Sequence, residues 1–136
     1  MADRHFTLEE ARAALEELRP VAGRMVELHR SLADAVERRS ELRVAVAGNG
    51  GGLGREDLAQ ADAEVEQLAA AVEACVERIQ AAGAQVKDLG RGLLDFPSRR
   101  EGREILLCWQ VGEPELAWWH GVDDGFAGRR RIDSVE

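Results

Sequence analysis

The sequence predicts an α+β fold: a long antiparallel helical hairpin carrying a small three- to four-stranded antiparallel sheet. Three observations lead there. Apolar residues recur every three to four positions as far as Ala82, a stretch with four glycines in five residues (Gly48-Asn49-Gly50-Gly51-Gly52) interrupts them once, and beyond Gly83 the period falls to two. At 136 residues the chain suits a single domain over 1–136, because typical domains run about 100–150 residues.

The first helix is expected over 6–46. Thr7-Leu8-Glu9-Glu10 has the form of a capping box, with the Thr7 hydroxyl and the Glu10 carboxylate each serving the other residue's backbone N–H. Leu8, Ala11, Leu15, Leu18, Ala22, Met25, Leu32 and Val36 make one apolar stripe. Pro20 lies within it, so a kink or restart is expected after Arg19, since proline lacks a donor and crowds the preceding turn. The glycine-rich loop covers 47–54. A second helix follows over 55–82, with Glu56 and Asp57 in its first turn and Leu58, Ala61, Val65, Leu68, Val72, Cys75 and Ile79 as its seam. Gly83 is placed to cap it. The outer flanks of two such stripes need covering, which points to a homodimer or higher homo-oligomer formed through the helices. Antiparallel pairing would bring His29 near Cys75, but no further ligand type sits beside them, so Cys75 reads as a core residue.

Charge and composition exclude several classes. The formal net charge is −8, and acids exceed bases on both sides of Gly83. Arg99, Arg100 and Arg103 and then Arg129, Arg130 and Arg131 are clustered, but Glu101, Glu104 and Asp133 dilute them, so no nucleic-acid footprint is expected. No apolar run approaches the ~20 residues of a membrane span, and no apolar signal segment follows the first residues. Two cysteines, Cys75 and Cys108, fit a reducing cytoplasm better than a disulfide scaffold.

The small β region, 84–136, carries the chemistry. Short strands are expected at 86–89 and 92–96, the second closed by Pro97, with a polar turn over 98–102. The strongest strand is 103–111, and a further strand is expected over 115–120. A three-residue loop at Glu113 would pair Val111 with Glu115 and hence Cys108 with Trp118. Cys108 and His120 then share one face, whereas a one-residue slip separates them. Asp95, Cys108, Glu113 and His120 are the candidate metal ligands, a mixed set that suits zinc or iron; Asp88 is a further donor. Asp95, Trp109, Glu113, Trp119 and Arg129 are the candidate ligand-binding residues, combining flat aromatic walls with polar groups. Each also has a local alternative: Cys108 in the core, His120 in a turn hydrogen bond, Asp95 capping a loop, Glu113 serving its turn and a nearby arginine.

Taken together, Phe6-Thr7-Leu8-Glu9-Glu10-Ala11, Val86-Lys87-Asp88-Leu89, Gly92-Leu93-Leu94-Asp95-Phe96-Pro97, Leu107-Cys108-Trp109, Gly112-Glu113-Pro114-Glu115, Trp119-His120 and Gly125-Phe126-Ala127-Gly128-Arg129 resemble the bacterial and archaeal domain of unknown function 2203 family. The resemblance spans nearly the whole chain and is most specific in the last third. It implies no activity and transfers no catalytic residue. Three readings follow from the residues: a helix-mediated oligomer that binds a small ligand or metal ion at its sheet, a small metal-dependent or Cys108–His120 enzyme, and a structural or regulatory interaction protein.

Overall fold

The computed structural model describes residues 4–48 and 54–132. Helix α1 (Leu8–Gly48) and helix α2 (Arg55–Ala81) are followed by strands β1 (Gln85–Asp88), β2 (Leu93–Arg100), β3 (Arg103–Gln110), β4 (Trp118–Gly121) and β5 (Arg130–Arg131). The fold is α+β as expected, with five strands in place of three or four, all antiparallel and in the order β1-β2-β3-β4-β5. Most of the glycine-rich loop, 49–53, lies outside the described residues.

The start of α1 is the reciprocal cap that the sequence implies. The Glu10 N–H donates to Thr7 Oγ1 and the Thr7 N–H donates to Glu10 Oε1, both at 3.0 Å. The helix does not restart at Pro20, but runs unbroken through it. Pro20 is exposed, so the Glu16 carbonyl that it leaves without a partner faces water, while buried Leu18 and Ala22 pin the helix on either side. Further out, Ala35 is buried and Val36 is 39% exposed, because a straight helix drifts relative to a seven-residue repeat. Arg38 bonds Glu64 at 3.1 Å across the antiparallel pair. At the other end of α2 the Gly83 N–H donates to Gln80 O and the Ala84 N–H to Ile79 O, which closes the helix as a Schellman cap. Cys75 belongs to the core, and the His29 ring lies beside Gly90.

Strand β2 continues through Pro97 to Arg100. The expected break fails for a stereochemical reason. The pairing with β1 ends at Gln85↔Asp95, and beyond it the Phe6 N–H donates to the Pro97 carbonyl at 2.7 Å. The nitrogen and carbonyl of a strand residue point to the same side, so the missing Pro97 donor faces away from β3 and costs that ladder nothing. The turn to β3 is therefore only Glu101-Gly102, with φ of 54° and 80°, a primed two-residue hairpin. It fixes the register Arg100↔Arg103 and, further along, Asp95↔Cys108.

The β3–β4 connection is longer than a tight hairpin, and β4 begins at Trp118. Leu116 is fully buried, and the Arg12 guanidinium donates to its carbonyl at 3.1 Å. Arg19 donates to the carbonyls of Glu113 and Pro114. Helix α1 thus holds a wide loop in place. The pairing across it is nevertheless Cys108↔Trp118 and Leu106↔His120. One face of the sheet, with Leu94, Phe96, Ile105, Leu107, Trp109 and Trp119, packs into the core formed with the helices. The other face carries Asp95, Cys108 and His120.

Candidate metal centre

Asp95 on β2, Cys108 on β3 and His120 on β4 are brought together by register alone. Asp95 lies directly opposite Cys108, and His120 lies two residues along from Trp118, the partner of Cys108 on its other side. All three are buried, at 1%, 0% and 4% exposure. One donor atom from each lies within 4.8 Å of the others. A tetrahedral ion with bonds of ~2.0–2.3 Å sets its ligands about 3.3–3.7 Å apart, so the group is close to the spacing that one ion needs.

The imidazole geometry is the informative part. His120 Nδ1 is 2.7 Å from the Gly121 carbonyl, and Nε2 is 3.1 Å from Asp95 Oδ2. A carbonyl only accepts, so Nδ1 carries a proton and donates it there. In the neutral ring Nε2 is then a lone pair facing a carboxylate oxygen. Two acceptors at this distance require a positive centre between them, either a proton or a metal ion. Asp95 Oδ1 is also buried and has no hydrogen-bond partner. Burial first, and then the Asp95 carboxylate, pushes the Cys108 thiol up to about 12, with Arg129 opposing and Glu113 adding a smaller push.

Glu113, expected among the metal ligands, is not part of this group. Its Oε1 accepts the Gln110 N–H at 2.9 Å and its Oε2 accepts from Arg129 Nη2 at 2.6 Å, the local role that turn residues commonly take. Arg129 is held by that ion pair and lies over the rings of Trp118 and Phe126, at 4.7 Å and 4.5 Å. The candidate ligand-binding residues are divided by the sheet. Asp95 is on the face with Cys108, whereas Trp109 and Trp119 lie in the core on the helix side. The Trp109 indole N–H donates to the Glu113 carbonyl at 3.0 Å and braces the loop. Asp88 is likewise local: its Oδ1 accepts the Arg91 N–H at 3.0 Å. Sequence reasoning missed the Gly121 carbonyl, which sets the ring orientation of His120. It also missed Trp118 and Phe126 as the platform for Arg129; the register that pairs Cys108 with Trp118 was the available signal.

The description "Uncharacterized conserved protein (DUF2203)" belongs to a family model that matches residues 4–132. The chain belongs to the DUF2203 family. No curated protein and no solved structure matches it. Membership brings no reaction with it, and the buried Asp95, Cys108 and His120 group is the chemistry that this DUF2203 chain presents. Among the described residues no helix is long and apolar enough to cross a membrane.

Proposed function

We propose that this protein holds a transition-metal ion, zinc or iron, at Asp95, Cys108 and His120, where the ion ties strands β2, β3 and β4 together. The observation that carries the reading is the His120 ring: its Nδ1 proton is committed to a backbone carbonyl and its Nε2 faces a carboxylate, the arrangement usual for a metal-ligating histidine. Charge balance favours it as well. Without metal, one proton between His120 Nε2 and Asp95 Oδ2 leaves that pair with no net charge beside a neutral thiol. A divalent ion that displaces the Nε2 and Sγ protons is balanced by one carboxylate and one thiolate, again zero, so a buried site tolerates both states. Three protein donors leave a tetrahedral ion one position for water or a small anion.

The rival Cys108–His120 nucleophile and base has less support, because both ring nitrogens are engaged elsewhere and the thiol is held protonated. The test is metal analysis of protein purified without chelators, joined to cobalt(II) loading. Stoichiometric metal, and a thiolate-to-cobalt absorption band that Cys108→Ser abolishes, are expected. Absence of both would overturn the proposal and leave the scaffold reading. We further propose self-association through the helices, since Val36 and Val44 on outer α1 are 39% and 73% exposed. Light scattering should give a dimer mass that Val44→Glu reduces to a monomer. Two unpaired buried thiols suit a reducing cytoplasm.

A further inference from the structure

The helices pack on one face of the sheet, and Asp95, Cys108 and His120 lie on the other, yet each is at most 4% exposed. Leu93 and Leu106 are buried beside them, outside the core formed with the helices. The β4–β5 connection, 122–129, with a single 3-10 turn at Phe126–Gly128, lies over this face. Gln110 shares the face of Cys108 by alternation, and Arg91, in the β1–β2 turn, donates to its Oε1 at 3.0 Å. The Arg91 guanidinium sits 4.2 Å from the centre of the Phe126 ring. Phe126 also meets Arg129, which lies over Trp118, the cross-strand partner of Cys108. Arg91, Phe126, Arg129 and Trp118 thus form a row across the sheet, from the β1–β2 turn to β4.

This cover is lightly fastened. No residue of the 3-10 turn is buried. Among the described residues its backbone bonds are internal: Asp124 N–H to the Gly121 carbonyl, Gly128 N–H to Gly125, and Arg129 N–H to Phe126. Side chains attach it to the rest, chiefly the Arg91–Phe126 contact and the Arg129–Glu113 ion pair. A segment with few buried contacts opens at far less cost than the whole domain unfolds. Its foot also touches the site, because the Gly121 carbonyl accepts both the Asp124 N–H, at 3.1 Å, and the His120 Nδ1 proton, at 2.7 Å.

We infer that segment 122–129 is a lid over the buried group, fastened by Phe126 and Arg129, and that it opens to admit and release the metal ion. The passage of metal rests on the metal reading above; the lid itself does not.

Iodoacetamide labelling of metal-free full-length protein, resolved by mass spectrometry at Cys108 and Cys75, tests the lid. Cys75 belongs to the core on the helix side and serves as the control. Below the unfolding transition, Cys108 labelling should hardly change with urea, because an opening lid exposes little surface. Phe126→Ala removes both guanidinium contacts, so it should speed Cys108 labelling roughly tenfold and leave Cys75 unchanged. Release of bound cobalt(II) to excess EDTA should accelerate by the same factor. Cys108 labelling that rises with urea on the slope of global unfolding would overturn the inference, as would equal acceleration of the two cysteines. If Phe126→Ala fails to fold, the wild-type urea series still decides. Protein that takes up no cobalt would sink the metal reading and leave the lid to the labelling result. Unchanged cobalt release alongside faster Cys108 labelling would refute the gating of metal.

Discussion

Replacing His120 with alanine isolates the electrostatic core of the buried group. Asp95 is 1% exposed, and among the described residues the His120 imidazole engages its Oδ2 at 3.1 Å, with the Cys108 thiol beside it. Removing one partner of a buried pair strands the other charge, at a cost of about 3–5 kcal/mol. The second bond lost, to the Gly121 carbonyl, adds little, because Gly121 is half-buried and water can reach it. Against a total stability of about 5–15 kcal/mol, the variant should lose a third or more of its folding free energy. Urea unfolding of metal-depleted protein, followed by circular dichroism, measures this directly. The decisive comparison is Asp95→Asn, which removes the charge but keeps the shape. In that background His120→Ala should cost only about 1 kcal/mol, the ordinary worth of a hydrogen bond. If His120→Ala costs the same in both backgrounds, the pair is not coupled, and the argument from facing acceptors fails.

The other predictions follow from single geometries. Metal-free protein should lose stability as pH rises from about 9 towards 12: the unfolded thiol ionises near 9.0 and the folded Cys108 only at about 12, so the folded state retains the extra proton. Urea midpoints should fall across that window in the wild type and much less in Cys108→Ser. For the same reason Cys108 should resist thiol reagents at pH 8 and react promptly in denaturant, which mass spectrometry of alkylated peptides can follow. Thr7→Ala should cost about 1 kcal/mol in thermal unfolding, because the Glu10 N–H loses its Thr7 Oγ1 acceptor while the Thr7 N–H keeps Glu10 Oε1. Gly92→Ala should be worse, at about 2–4 kcal/mol, since φ is +66° and a Cβ would overlap the side chains of Val111 and Val26.

What the sequence disclosed tracks how local each determinant is. The α1 cap was legible because both halves of the box lie within four residues, and the hairpin because the apolar stripe repeats on a fixed period. The pairing of Cys108 with Trp118 was reached through a three-residue loop that does not form. The register agrees because the ladder opens equally on both strands, from the expected Val111/Glu115 pair back to Cys108/Trp118, about the same centre at Glu113. The loop is wider because Leu116 is drawn into the core and the backbone around it is held by Arg12 and Arg19, contacts from a helix roughly a hundred residues away in sequence. No local pattern announces those.

Asp95 shows where such reasoning stops short. Its chemistry marks it as a ligand, but Pro97 reads as a strand end, and with the strand ended there nothing specifies what Asp95 faces. The missing step was the Glu101-Gly102 turn. A two-residue hairpin at that point pairs 100 with 103, and the same count sets 95 opposite 108. Proline obscured it because its effect depends on which side of the strand lacks a partner, and that side is occupied by Phe6, from the far end of the chain. The buried group therefore depends on two turns and one proline that tolerates an edge, more than on any motif in its own three residues. A register slip at either turn would disperse Asp95, Cys108 and His120 to opposite faces with their identities unchanged, so their chemistry is a property of the ladder.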